Sequence, residues 1–222
     1  MKNLQFKQLL LLSDTQKKAN QFLFQKRFNL ITADDNSVGK STLAKLLLWT
    51  FGCEPDFDST WKSTDCKCLV DFSIDGTNYK ILRYQNFISL KEENQEILKY
   101  TNIGGDYSKK FAELVDFKVL LPKRGSDETE LVTPPPAYYF LPFYMDQKNS
   151  WSKTWNSFGK LGQFDSWQKT VIKYHLGYLS PKHFELEQDL SDNKRQINEL
   201  NQEVEKIGYA LDVVKNHIPN NE

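Results

Sequence analysis

The sequence predicts an α/β fold built from a strand–loop–helix unit, an antiparallel β meander and a long heptad helix. Three observations carry this. Arg27 to Leu48 reads RFNLITADDNSVGKSTLAKLLL, an apolar run, a polar loop and a helical apolar period in succession. Lys67 to Lys91 holds strand-like runs around the dipeptide Asp75-Gly76, a strong hairpin signal. From Leu190 onward, apolar residues recur every seven positions.

Leu4 to Leu12 reads as an opening strand and Gln21 to Gln25 as a second, leading into Phe28-Asn29-Leu30-Ile31 as a third. The loop that follows ends in Gly39-Lys40-Ser41-Thr42, and Leu43, Leu46, Leu47 and Phe51 then recur at helical spacing. This is the end of a P-loop, GxxxxGK[ST], in which backbone N–H groups and a helix N-terminus surround phosphates. Its lysine reaches the outer phosphates and its Ser/Thr hydroxyl binds Mg²⁺. Asn36, Ser37, Val38, Gly39, Lys40, Ser41 and Thr42 are therefore the expected nucleotide ligands, with Ser41 on the metal. Asp34 stands where the motif has its first glycine, and Ser37 gives no glycine freedom inside the loop. Asp tolerates left-handed backbone better than most residues, so the loop can close, but Asp34 and Asp35 weaken phosphate binding unless they point outward. The competing reading is a GKST that merely caps a helix.

Gly52 ends this helix and Pro55 prevents its resumption. Asp56 to Asp65 is a polar connection carrying Trp61. Cys68 to Ile74 and Tyr79 to Tyr84 flank the Asp-Gly turn, and Phe87 to Leu90 adds a third strand. Asp106 to Phe117 is a short helix, Leu121 to Thr133 a charged surface loop, and Pro134-Pro135-Pro136 a stiff spacer. Tyr138 to Met145 is a nearly continuous aromatic-apolar run, expected as a buried strand ending at Asp146-Gln147-Lys148. Trp151, Trp155 and Phe158 have the spacing of a core-facing helical stripe, preferred here over a base-stacking surface. Trp167 to Leu176 is an amphipathic helix stopped by Gly177, and Ser180-Pro181 opens the last element. There Leu190, Ile197, Val204, Leu211 and Ile218 alternate with Asn193, Leu200, Ile207 and Val214, so one position in the seam is polar. Such a seam implies a coiled coil whose partner helix lies in another chain or in a part of the protein outside this sequence. Gly208 is its weak point.

The 222 residues carry 29 basic and 29 acidic side chains, so global charge does not argue for nucleic acid. With 14% aromatic residues the chain is rich enough in core-forming side chains to exclude a disordered class. Cys53, Cys66 and Cys68 have no histidine at zinc-finger spacing and read as free thiols in a reducing compartment. No secretory signal is evident, and no stretch approaches the roughly 20 apolar residues needed to span a bilayer, so a cytoplasmic protein without membrane contact is expected.

A GTPase would show an NKxD-type segment, and the one Asn-Lys pair, Asn193-Lys194, lies in the heptads. The order of P-loop, meander, aromatic run ending in Gln147 and heptad helix instead resembles the N-terminal lobe of an SMC-like ABC ATPase head, a P-loop NTPase fold. That class contains chromosome-organising and double-strand-break repair ATPases. NSVGKST, the FxFxxxFNLI lead-in, YYFLPFYMDQ and WQKTVIKYHLG are similar to the SMC-like ATPase subunits of Lamassu-type and three-component ABC anti-phage systems. The resemblance implies ATP and Mg²⁺ as cofactors, with Gln147 as the Q-loop glutamine that helps Ser41 to bind Mg²⁺. It also implies a lobe at 1–180 with a coiled-coil arm starting at 181–222. Arg83 resembles a recurrent meander arginine.

The family's C-terminal lobe supplies an LSGGQ-type signature and a Walker B Asp-Glu pair. Neither is here: Gly104-Gly105 lacks the preceding Leu-Ser, and Asp116 has no following Glu. The resemblance thus implies three kinds of partner. Its own C-terminal head lobe and a second copy would complete an ATP-sandwich dimer. Double-stranded DNA would be held through backbone phosphates, and an effector or accessory subunit would respond. The chain alone is expected to hold Mg·ATP without turning it over, and no catalytic residue is assigned within it. Two alternatives remain open at this level: a repair ATPase partnered with a nuclease, and a non-hydrolysing coiled-coil scaffold with a vestigial P-loop, favoured by Asp34 and Ser37.

Overall fold

The computed structural model describes residues 2–35, 38–125, 130–148, 150 and 154–217, and the backbone alone at Lys62 and Asn216. A hairpin of β1 (Leu4–Ser13) and β2 (Lys18–Leu23) opens the chain, and α1 (Lys40–Thr50) crosses to β3 (Cys66–Ile74). β4 (Thr77–Tyr84), β5 (Phe87–Glu92) and β6 (Ile97–Tyr100) complete an antiparallel sheet in the order β2-β1-β3-β4-β5-β6. The β3–β4 turn is the expected Asp-Gly: Ile74 pairs with Thr77, and Asp75 (φ 47°) and Gly76 (φ 93°) both take the left-handed backbone that a type I′ turn requires.

Alternation along the strands sends Leu9, Cys68, Val70, Phe72, Ile81, Ile88 and Leu90 to one face, which α1 and α2 (Asp106–Val115) help to cover. Phe51 joins the layers, its ring lying 4.9 Å from Phe72, 5.6 Å from Phe6 and Phe140, and 6.1 Å from Phe111. α1 stops at Gly52, as expected. Its φ is 95°, and a Cβ there would sit 3.0 Å from Ile103 and 3.1 Å from Tyr107, so conformation and space both require glycine. Burial raises the Cys53 thiol well above its ordinary range and the Cys68 thiol to about 12, keeping both protonated.

Four expectations are revised. Phe28–Ile31 forms no strand, and its backbone has no ladder partner among the described residues; Phe28 is 91% and Leu30 89% exposed. Tyr138–Met145 is not a strand but a turn of helix, α3 (Ala137–Phe140), continued by a 3₁₀ turn at Leu141–Phe143. Pro136 already has helical backbone and its carbonyl accepts from the Tyr139 and Phe140 amides, so the proline spacer nucleates a helix. Only the first half of the run is buried, with Tyr138–Leu141 at most 5% exposed and Phe143 62% and Met145 83% exposed, and periodicity cannot assign so short an apolar run to strand or helix. Trp155 and Phe158 lie in no helix: Trp155 has φ 60° and Phe158 bridges Pro55, while Trp151 lies outside the described residues. The loop after Leu121 contains a small ladder, β7 (Leu121–Pro122) with β8 (Leu131–Val132).

α4 (Trp167–His175) and α5 (Pro181–His217) follow as expected. Phe184, in the first turn of α5, is buried with its ring 5.7 Å from Tyr174, whereas the described seam residues Leu190, Ile197, Leu200, Val204, Ile207, Leu211 and Val214 are all exposed. Ile218 lies outside the described residues. No helix among the described residues is long and apolar enough to cross a membrane.

His175 closes the aromatic layer over α3. Its Nε2 lies 3.1 Å from the Tyr138 carbonyl and so carries the proton, and its buried Nδ1 has no partner among the described residues. Phe117, Phe143, Trp155 and Tyr174 surround the ring. Burial lowers its affinity for a proton. The unfolded chain then binds a proton more readily than the folded one, so stability should fall as pH drops below about 6.5, where an unfolded histidine titrates. Urea midpoints at pH 7.5 and 5.5 check this: the loss should be smaller in His175→Phe than in the parent chain.

Candidate phosphate-binding site

The site begins where α1 begins. Gly39 takes left-handed backbone (φ 96°, ψ 13°) with nothing within 4 Å of where a Cβ would be, so conformation alone selects glycine. The first helical hydrogen bond runs from the Leu43 amide to the Gly39 carbonyl at 2.9 Å. The amides of the preceding residues have no intrahelical acceptor. Among the described residues no side chain caps this end, and the first turn holds no acidic residue to offset the positive end of the helix dipole. Lys40 folds back over the loop and donates from Nζ to the Asp35 carbonyl at 2.8 Å. Its ammonium is thus held beside the free amides by a neutral acceptor that an anion can replace.

Ser41 is exposed and Thr42 half-buried on the first turn, and Val38 is exposed in the loop. Asn36 and Ser37 lie outside the described residues. Asp34 and Asp35 are both exposed and neither has a positive φ, so the missing glycine imposes no left-handed strain at Asp34.

Gln147 arrives from a distant part of the chain. It is exposed in a turn rather than at a strand end. Its neighbours tie that turn to α1. Asp146, 3% exposed, places Oδ1 3.5 Å from Lys45 Nζ, and Lys45 also donates to the Asp56 carbonyl at 2.5 Å. Lys148 Nζ lies 3.1 Å from Asp56 Oδ2. Lys45 is four residues after Ser41, so both lie on one face of α1. The turn bearing Gln147 therefore docks on the face that carries the Ser41 hydroxyl. Sequence reading named Gln147 but missed Lys45 and Asp146, whose only signals were helical spacing from Ser41 and adjacency to Gln147.

At the other end of α1, Arg83 is 2% exposed. It donates from Nη1 to the Trp49 and Cys53 carbonyls at 2.5 and 3.0 Å, from Nε to the Gln85 carbonyl at 2.8 Å, and from Nη2 to Glu54 at 2.7 Å. It stacks on the Trp49 ring at 4.3 Å. This arginine is the C-terminal cap of α1 and anchors the helix to the meander.

Amides without an intrahelical acceptor, the Lys40 ammonium on a neutral carbonyl and a first turn without carboxylates fit a polyphosphate. The Ser41 hydroxyl and the Gln147 side-chain carbonyl are oxygen donors of the kind a hard cation such as Mg²⁺ takes. Asp34 keeps the backbone N–H of the motif glycine it replaces, and what it adds is a carboxylate at the edge of the loop.

No protein-family model matches the chain. It is 26% identical over 208 residues to the Lamassu protein LmuB of Bacillus cereus (strain VD014), an alignment covering 90% of this chain and 36% of that protein. It is 24% identical over 204 residues to the Lamassu protein LmuB of Bacillus sp. (strain NCIM 5461 / CCTCC AB 2011126 / NIO-1130), covering 90% of this chain and 34% of that protein. The chain thus spans about a third of the length of these relatives, and the similarity supports a Lamassu-type relationship.

Proposed function

We propose that the chain is the nucleotide-binding N-terminal lobe of an SMC-like ABC ATPase head acting in a Lamassu-type anti-phage defence system. The observation that carries this is the N-terminus of α1. Gly39 is left-handed, the first amides have no intrahelical acceptor, and Lys40 is folded beside them on a neutral carbonyl. In this reading Lys40 holds the outer phosphates of ATP, the Gly39 to Thr42 amides surround them, and Ser41 with Gln147 binds Mg²⁺. The exposed lead-in Phe28–Ile31 supports it, because a largely apolar run whose backbone has no ladder partner among the described residues has the chemistry of a strand awaiting a sheet. The C-terminal lobe of the same protein would supply that sheet together with the signature and Walker B segments, and a second copy would close the ATP sandwich. The unpartnered α5 seam would pair as a coiled coil. Double-stranded DNA, bound through its backbone, and an effector or accessory subunit are the partners this reading assigns to the whole assembly.

Thermal denaturation of the chain with and without Mg·ATP tests the proposal. A ligand at about 100 times its Kd stabilises by about 2.7 kcal/mol, which is a shift of several degrees for a chain of this size. A shift with Mg·ATP, and a smaller one with ATP in EDTA, is the expected result. No shift with either would favour the scaffold reading, for which Asp34 in place of the motif glycine is the supporting observation.

A further inference from the structure

We infer that Asp146 and Lys45 are positioning residues: together they clamp the Gln147 turn onto the Ser41 face of α1, so that metal binding at Ser41 is tied to the conformation of residues 144–148. The inference rests on the nucleotide-binding reading above. Its evidence is the set of contacts around Gln147, none of which that reading uses.

Asp146 is the centre of the turn. Its carboxylate receives Lys45 Nζ at 3.5 Å, the Lys148 amide at 3.2 Å and the Tyr144 hydroxyl at 3.4 Å, and its own amide donates to Ser150 Oγ at 2.8 Å. Ser150 Oγ lies 2.9 Å from Ser157 Oγ, which donates to the Tyr144 carbonyl at 2.8 Å. These bonds close the turn on itself, while the Lys45 contact and the Lys148–Asp56 pair attach it to α1 and to the segment after it. The outer pair is exposed and contributes little, so the buried Asp146–Lys45 contact is the attachment that matters. A carboxylate buried to this degree is retained at a cost unless paired, which makes an incidental surface contact a poor account of it. Gln147 lies between two anchored residues, and its own side chain remains exposed and available.

A residue that orients a metal ligand without touching the metal has a distinctive effect when removed: metal affinity falls about 10–100-fold. Titration of a fluorescent ATP analogue, with Mg²⁺ and with EDTA, measures this in the 222-residue chain. For Asp146→Asn and Lys45→Met, the tightening produced by Mg²⁺ should shrink about tenfold while affinity in EDTA stays within about twofold. In a Gln147→Ala background, Asp146→Asn should cause no further loss, because the clamp acts through that side chain. Undiminished Mg²⁺ tightening in Asp146→Asn, with the parent chain binding normally, would overturn the inference alone. Failure of the parent chain to bind the analogue at all would overturn the nucleotide-binding reading and this inference with it. A readout on the parent chain stands apart from any folding defect in the variants. Mn²⁺ bound with ATP should broaden the NMR signals of the Gln147 side-chain amide, and sharp signals would overturn the inference.

Discussion

Lys40→Ala is expected to weaken binding of Mg·ATP about 100-fold or more while leaving the melting temperature of the ligand-free chain nearly unchanged. The two halves of this result have one structural cause. Among the described residues Lys40 Nζ makes a single hydrogen bond, to the Asp35 carbonyl, so its loss removes little from the fold. In the nucleotide complex the same ammonium would make charge-assisted bonds to phosphate oxygens, each contributing about 1.5–3 kcal/mol, and two such bonds account for the expected factor. Isothermal titration supplies the affinity. Asp34→Gly should move affinity the other way, by several-fold. It removes an exposed carboxylate from the loop, and two charges a few ångströms apart in a surface dielectric interact by about 1–4 kcal/mol before screening by salt. Equal affinities for the parent and Lys40→Ala chains would leave the loop a helix cap and the scaffold reading in possession.

Much of the sheet was legible because period-2 alternation and an Asp-Gly turn are local signals: β1, β3, β4 and β5 follow them, and α1, α2, α4 and α5 follow the helical period. β6 escaped because Ile97–Tyr100 is four residues long and three of them are exposed, so alternation had nothing to report. The strand expected at Phe28–Ile31 failed for a different reason. Its composition favours a strand, but a strand exists only when a neighbour completes its ladder, and no described segment does so. At the proposed site, the motif names residues adjacent in sequence, since a P-loop is one continuous stretch, and Asn36 and Ser37 of that stretch lie outside the described residues. The contact of Asp146 with Lys45 joins positions a hundred residues apart and leaves no pattern in either segment. The Trp-rich stretch misled because Trp155 and Phe158 are core-facing without being helical. Trp155 reaches His175 from left-handed backbone, and Phe158 stacks on Tyr144 at 5.4 Å.

Arg83→Met should be the most damaging single substitution for stability, costing about 3–5 kcal/mol, a large fraction of the 5–15 kcal/mol typical of a whole domain. Methionine matches the aliphatic stem and fills the space over Trp49, so the loss would come from the guanidinium. Removing it takes the Arg83 donors from the Cys53 carbonyl at the buried end of α1 and from the Gln85 carbonyl that closes the β4–β5 turn, and it takes from the Trp49 carbonyl its second donor beside the Gly52 amide. Glu54 loses its closest cation and, among the described residues, keeps Lys160 at 3.9 Å. Arg83→Lys should recover little of this, because one ammonium cannot reach three carbonyls and a carboxylate lying in the directions of a planar fork. Urea denaturation at constant m-value is the measurement. A cost below about 1 kcal/mol would mean that water replaces the fork, and that Arg83 is not what fixes the helix to the sheet. The same variant separates support from ligand contact. α1 is 11 residues and roughly 16 Å long, and Arg83 grips its C-terminal end while the residues proposed to bind phosphate lie at the other. At temperatures where Arg83→Met remains folded, its affinity for Mg·ATP should therefore stay close to that of the parent chain, the reverse of the pattern expected for Lys40→Ala.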